Sequence, residues 1–294
     1  TAGRGVFAMR FAPVLNELGT DEQKQKYLLP MVAGELQGAS AFSEPQAAGD
    51  LAGIKTTIEK HNKGWVINGN KCWISYAKRA DFILVLTRLK GTERHDGLTW
   101  VIVEKGTPGC TIGREQKMLH GQSTYEVFFE NCVVSETQLL GGPGQGWGAG
   151  TSFLYTGRLG IAARSLGIAD RCLDLAIDYA KQRHTFGKPL SSRQAVQWMI
   201  ADSATELHAA RLMVYDAAWR AQQGENVVQQ TAMVKSYATE MVSRVVDRAV
   251  QIHGAAGLSN ETILERCYRD VRPMRIYEGS SEAMRSVVAR NLFR

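Results

Sequence analysis

The sequence predicts an α+β fold: a helical N-terminal segment, a middle antiparallel β domain, then a C-terminal four-helix bundle. Three observations carry this. Between residues 39 and 147 the strand-like runs are short, β-branched or aromatic, and separated by Gly, Pro and charged turns. From about residue 148 the apolar residues repeat every 3.6 positions instead. Strands and helices are segregated rather than alternating, which is not the Rossmann pattern.

Taken in order, residues 1–38 read as helical. "TDEQKQKYLLPMVAGE" offers Thr20 as an N-cap, acids in the first turn, and Pro30 as a kink or break. The opening "TAGRGVFAMRFAPVLNELGT" starts in the middle of an apparent helix, so further residues are expected upstream. In the β domain, 39–147, "GWVINGNKCWI" reads as an Asn68-Gly69 hairpin between two β-rich runs. "DFILVLTRL", "LTWVIVEKG" and "YEVFFENCVV" supply the further strands. In the bundle, 148–294, Leu159, Ala162, Leu166, Ala169, Leu173, Ala176 and Ala180 share one face of a long helix. Three more helices fit 191–223, 227–254 and 280–293, and "HTFGKPLS" joins the first two long ones.

Bulk properties narrow the function. A chain of 294 residues holds about two domains or one large one. The 35 basic and 29 acidic residues give a net charge of +6 without any Lys/Arg block, which argues against nucleic acid and suits an anionic small molecule. Cys72, Cys110, Cys132, Cys172 and Cys267 lack metal or C-x-x-C spacing, so reduced thiols in an intracellular protein are expected, with neither zinc nor disulfides. The longest strongly apolar strand-like run, "FILVL" at 82–86, is far short of a membrane span, and no signal peptide is recognisable.

Five stretches place Gly, Ser, Thr and aromatics where packing alone would not require them. "AFSEPQAAGD" (41–50) taken alone is more often a surface turn. "KCWIS" (71–75) puts Trp73 and Ser75 on one strand face, where an indole beside a hydroxyl can flank a flat polar ring. "RHTFGKPL" (183–190) ends a helix, and its plain reading is a basic C-cap. "QIHGAAGL" (251–258) closes another helix with glycines that let backbone approach a ligand, although His253 alone reads as a packed histidine. "RIYEGSSEAMRSVVAR" (275–290) sets Glu278 and Glu282 around a Gly-Ser-Ser helix start; by local physics both are acids that suit a helix dipole.

Together these stretches resemble the acyl-CoA dehydrogenase family of flavoproteins across essentially the whole chain. "SEPQAAGD" is similar to that family's TEPGAGSD, "NGNKCWIS" to NGxKxWIT, "RHTFGKPL" to R-x-T-F-G-K, and "IYEGSSE" to IYEGTSE, in the same order. The resemblance implies three domains, with part of the N-terminal helical one absent. It implies FAD bound between the β domain and the bundle, its ring against Phe42, Ser43, Trp73 and Ser75, with Ser280 and Glu282 nearby. A partner subunit would bring Arg183, Thr185, Phe186, Gln194, Gln251, His253, Gly254 and Ala255 to the diphosphate and adenosine. It places Glu278 as the catalytic base, and Gly49, Gly157, Arg158, Tyr277 and Gly279 at the acyl-CoA substrate.

The implied reaction is α,β-dehydrogenation to a trans-2-enoyl-CoA, with electrons passed to electron-transfer flavoprotein. A homotetramer is implied, in bacterial cytoplasm or the mitochondrial matrix, and no metal, nucleic acid or membrane. Relatives that carry the base before the arginine matching Arg158 have it where this chain has Gly157, and that glycine suggests room for branched acyl groups. Gly49 stands where the family has a serine, and Ala255 where a glycine is common. Alternatives on the same scaffold are an acyl-CoA oxidase, an enoyl-CoA reductase, a flavin monooxygenase, and a non-catalytic or DNA-binding member.

Overall fold

The computed structural model describes residues 11–47 and 49–293, except for the side chains of 149–153. The chain divides into two compact units, residues 1–154 and 155–294.

In the first unit, helix α1 (11–18) buries Phe11, Val14 and Leu15 at helical spacing. Thr20 then caps α2 (Asp21–Gln23) in a reciprocal capping box with Gln23. The helix runs on through a π turn, Lys24–Leu28, into Leu29–Ala33. Pro30 therefore neither breaks nor ends it. The proline falls in the first turn after the π segment, where a missing N–H is tolerated, and Gly34 at φ 78° closes the helix.

The strands are β1 (Gly38–Ala41), β2 (Thr57–His61), β3 (Gly64–Ser75), β4 (Phe82–Leu89), β5 (Leu98–Glu104), β6 (Cys110–Lys117), β7 (Ser123–Val134) and β8 (Leu139–Leu140). They form one sheet in the order β6-β7-β3-β2-β4-β5-β8, with β1 also on β4. Two features depart from the sequence reading. The sheet is mixed, because β1 and β2 each pair parallel with β4. And Asn68-Gly69 is no hairpin: β3 runs continuously through it, with a register shift between Ile67 and Gly69 against β7. Gly69 adopts φ 144° and a Cβ there would lie 2.6 Å from Thr56 Cα, so the glycine serves a bulge. The hairpin is at Asn62-Lys63, between His61 and Gly64.

The unbroken apolar run at 82–86 follows from burial on both faces. Phe82, Leu84 and Leu86 join Trp100 and the N-terminal helices in one core. Ile83 and Val85 join Val101, Val103, Val127 and Phe129 in the other.

In the second unit, α3 (Gly146–Gln182) contributes its residues from 155 onward, followed by a small hairpin, α4 (Gln194–Gln222) and α5 (Val228–His253). Then come α6 (Ala255–Leu258), α7 (Ile263–Val271) and α8 (Ser281–Leu292). Ala162, Leu166, Ala169, Ala176 and Ala180 of α3 are buried in one core with Leu207 and Val214 of α4 and Met241, Val242 and Val245 of α5. The alanine stripe lets helix axes approach closely, which suits a tight bundle. Helix α7 was not anticipated. It is short, and only Leu264, Cys267 and Val271 are buried, so its periodic signal spans barely two turns.

Candidate active site

Glu278 sits in a two-residue left-handed turn, with φ 55° at Glu278 and 92° at Gly279. For a glutamate that backbone costs on the order of 1–3 kcal/mol, so the surroundings must impose it. Two cations bond to the carbonyls of this turn. Lys235 Nζ, from α5, donates to the Gly279 carbonyl at 2.5 Å, and Arg158 Nε, from α3, to the Glu278 carbonyl at 3.5 Å. Ser280 follows as the N-cap of α8, its Oγ accepting from Ala283 N at 3.3 Å. Ser281 Oγ donates to Glu240 at 2.7 Å, and Arg275 pairs with the same carboxylate at 2.8 Å.

Both carboxylate oxygens of Glu278 are buried. A Cβ built on Gly157 would overlap the Glu278 carboxylate. The space left by a glycine at 157 is thus taken by the Glu278 carboxylate. Burial pushes the Arg158 guanidinium below its usual range, with Glu278 opposing. Burial likewise brings the Lys235 ammonium down to about 8, against the pull of Glu278. Glu282 lies in the first turn of α8, where backbone N–H and the Ser280 hydroxyl hold its carboxyl below the ordinary value. The structure thus separates the two glutamates around the Gly-Ser-Ser step. Tyr277 packs against the bundle core.

A second cluster forms where α3 and α5 end. The His253 ring stacks on Tyr179 at 4.2 Å, with Nδ1 2.8 Å from the Ala249 carbonyl, while Tyr179 O accepts from Arg183 N at 2.8 Å. Gly254 ends α5 at φ 58° with open space where a Cβ would point, and Ala255 begins α6. Gln251 is exposed nearby on the last turn of α5. Beyond Arg183 the chain makes a tight hairpin, His184–Thr185 against Lys188–Pro189, with Phe186 and Gly187 both at positive φ. Arg193 Nη2 donates to Thr185 O at 2.7 Å, Gln194 opens α4, and Phe186 at the tip is 96% exposed.

The first unit carries the third cluster. Ser43 O accepts from Cys72 N at 2.9 Å, which sets residues 42–44 beside the 71–75 end of β3. Trp73, at φ 61° in a register shift of β3 against β7, is 51% exposed between buried Cys72 and Ile74, and Ser75 ends the strand half-buried. The Phe42 ring is engaged with Trp100 at 4.9 Å and Phe11 at 6.2 Å, so its packing is toward the core. Gly49 is exposed, with open space where a Cβ would point.

Three residues here escaped sequence reasoning: Lys71, Glu44 and Lys235. Lys71 Nζ, fully buried, donates to Glu44 Oε1 at 2.8 Å and Phe42 O at 3.0 Å. Glu44 also accepts from Lys55 N, Thr56 N and Gln46 Nε2. Lys235 had a readable signal, since it interrupts the buried stripe Thr231, Ala238, Val242, Val245, Ala249 of α5. Among the described residues no helix is long and apolar enough to cross a membrane, and no group of three His, Cys, Asp or Glu side chains could hold a metal.

Residues 39–132 match the family described as acyl-CoA dehydrogenase, middle domain, and 144–293 the acyl-CoA dehydrogenase, C-terminal domain. The chain is 39% identical over 279 residues to 3-(aryl)acrylate reductase of Clostridium sporogenes, covering 94% of this chain and 74% of that one. It is 36% identical over 289 residues to the human mitochondrial short-chain specific acyl-CoA dehydrogenase, covering 98% and 70%. Butyryl-CoA dehydrogenase from Megasphaera elsdenii superposes with a TM-score of 0.91 at 36% identity, over 96% of this chain and 75% of that one.

Proposed function

The chain is an FAD-dependent oxidoreductase of the acyl-CoA dehydrogenase family, and from that premise we propose that it converts an acyl-CoA to the trans-2-enoyl-CoA with Glu278 as the base. The observation that carries this reading is the buried Glu278 carboxylate, held over Gly157 by a turn tied to Lys235 and Arg158.

The residues suit the cofactor. A half-exposed indole at Trp73, with Ser75 and Ser43 close by, fits a flat polar ring. The open approach at Gly254, with Arg183 just before the hairpin and Thr185 on it, fits a diphosphate. Bound FAD supplies the acceptor for the hydride lost from the substrate β-carbon. The chain supplies the rest. A thioester α-hydrogen is only weakly acidic, so Glu278 takes it as a proton while the thioester oxygen accepts a hydrogen bond from the Glu278 backbone N–H. Gly157 leaves the volume in which the carboxylate swings to the α-carbon. Arg158 and Lys235 set positive charge beside it.

Electron-transfer flavoprotein is the acceptor we propose for the electrons. We propose a homotetramer in which Phe186, Trp198, Tyr215 and Trp219, all more than half exposed, are covered by neighbouring subunits. The proposed location is bacterial cytoplasm, or the mitochondrial matrix in a eukaryote.

Glu278→Gln tests the base. The variant is expected to bind FAD normally yet lose flavin bleaching by acyl-CoA about 10³-fold. Bleaching at the wild-type rate would end the assignment. The 39% identity to a protein named a reductase supports a second reading, in which protonated Glu278 returns a proton to the α-carbon of an enoyl thioester. Oxidation of the reduced protein by an enoyl-CoA faster than its reduction by the saturated thioester would favour that direction.

A further inference from the structure

Lys235 is fully buried in the middle of α5, between Thr231 and Thr239 and beside Val234 and Ala238, all themselves buried. An ammonium in such a place costs several kcal/mol unless the fold uses it. Its hydrogen bond runs 44 residues along the chain to the Gly279 carbonyl, within the turn that carries Glu278. The charged groups facing it are Glu278, Glu240, Glu282 and Arg158. Glu240 is already matched by Arg275, and Glu282 is exposed on α8. Glu278 is thus the buried carboxylate on which the Lys235 charge acts most strongly. The bond from Arg158 to the neighbouring carbonyl is a full ångström longer, at 3.5 Å against 2.5 Å.

We propose that Lys235 is the positioning residue of the catalytic base: through its bond to the Gly279 carbonyl it imposes the left-handed Glu278–Gly279 turn and so keeps the carboxylate over Gly157. This rests on the reading of Glu278 as the base. The lysine touches no reacting atom. It acts by fixing a strained backbone and by holding positive charge beside the carboxylate, two roles that separate experimentally. Methionine removes both the donor and the charge; glutamine keeps an amide donor and removes the charge alone.

In the FAD-loaded Lys235→Met protein, flavin reduction by saturating acyl-CoA is expected to fall about 10²-fold, with the acyl-CoA dissociation constant within threefold of wild type. Lys235→Gln is expected to recover most of that rate at high pH, while the acid limb of its pH–rate profile moves upward because the carboxylate has lost a neighbouring cation. Independently of activity, amide hydrogen exchange across 276–283 is expected to quicken at least tenfold in Lys235→Met, while 231–245 exchanges as before. A Lys235→Met protein with wild-type rate and pH profile overturns the proposal, whatever its thermal stability. Should Lys235→Met fail to fold, a Lys235→Gln protein indistinguishable from wild type in both rate and profile overturns it equally. Glu278→Gln run alongside separates the failures. If that variant reduces flavin normally, the base reading falls and this inference with it; if it is inactive while both Lys235 variants are normal, only Lys235 loses its role.

Discussion

Two lysines are buried completely, Lys71 in the β unit and Lys235 in the helical unit, and burial brings both down to about 8. Their partners differ. Lys71 meets a dedicated carboxylate, Glu44, itself 1% exposed and tied by two backbone N–H groups and the Gln46 amide. Lys235 meets a carbonyl dipole, and among carboxylates Glu278 favours its charged form most. The first arrangement is closed, with every charge consumed in holding residues 42–44 against β3. The second leaves its charge beside the Glu278 carboxylate, the proposed base. One lysine fixes a loop against a strand; the other sits beside a buried carboxylate.

The largest way to break this comparison is Glu44→Leu. It leaves the Lys71 ammonium with the Phe42 carbonyl and strands the N–H groups of Lys55 and Thr56, at an expected cost of about 3–5 kcal/mol in urea unfolding. Lys71→Met should cost clearly less, because Glu44 keeps its other donors. The pair also sets an acid limit. Burial pushes the Glu44 carboxyl up, but Lys71 and the N–H donors more than offset this and hold it below the ordinary 4.5. Its stabilisation is therefore present above that pH and lost as pH falls through the lower folded value, a loss that Glu44→Leu should not show. Equal costs for Glu44→Leu and Lys71→Met would mean that the acid's extra bonds contribute nothing.

A smaller effect is expected at Lys235, where methionine leaves one carbonyl unmatched and costs about 1–3 kcal/mol. The pH dependence has a definite sign. The folded lysine sits near 8 and an unfolded one at 10.5, so between these values the unfolded chain binds more protons and stability rises with pH. Wild type should therefore gain on Lys235→Met from pH 8 to 10.5 in urea midpoints. A constant difference across that window would remove the buried charge from the account.

How far the sequence reached follows the same division. The helix faces, the Thr20 cap and the segregation of strands from helices were legible because each is a local period or cap. The Asn68-Gly69 hairpin was misread because the dipeptide suits a bulge as well as a turn, and the choice rests on Thr56, thirteen residues before Gly69 and absent from any local window. The parallel pairings of β4 were illegible for a similar reason, since register between distant strands leaves no local mark. At the candidate site, Glu278 was legible only by resemblance. Lys71 and Glu44 lay inside the quoted stretches, yet nothing near either names a partner 27 residues away. Lys235 alone was readable from physics, as a lysine on a buried helical stripe.

The smallest predicted effect separates stability from activity most cleanly. Gly69 and Gly157 both lack room for a Cβ, but what fills the room differs. At Gly69 the obstacle is Thr56 backbone, which cannot yield, and φ is 144°. At Gly157 it is the end of the Glu278 side chain, which can rotate away, and the position is interior to α3. Gly157→Ala should accordingly fold well and even gain about 0.5–1 kcal/mol of helix stability. Its methyl group takes the volume of the carboxylate, however, and a displaced base loses alignment with the α-carbon. Flavin reduction is expected to fall about tenfold, equivalent to about 1.4 kcal/mol of barrier, in a protein whose melting temperature is unchanged or higher. A variant both more stable and as fast as wild type would show that the carboxylate does not work from its place over Gly157. The base would then act from another rotamer, and the tie from Lys235 to the turn would matter for the backbone alone.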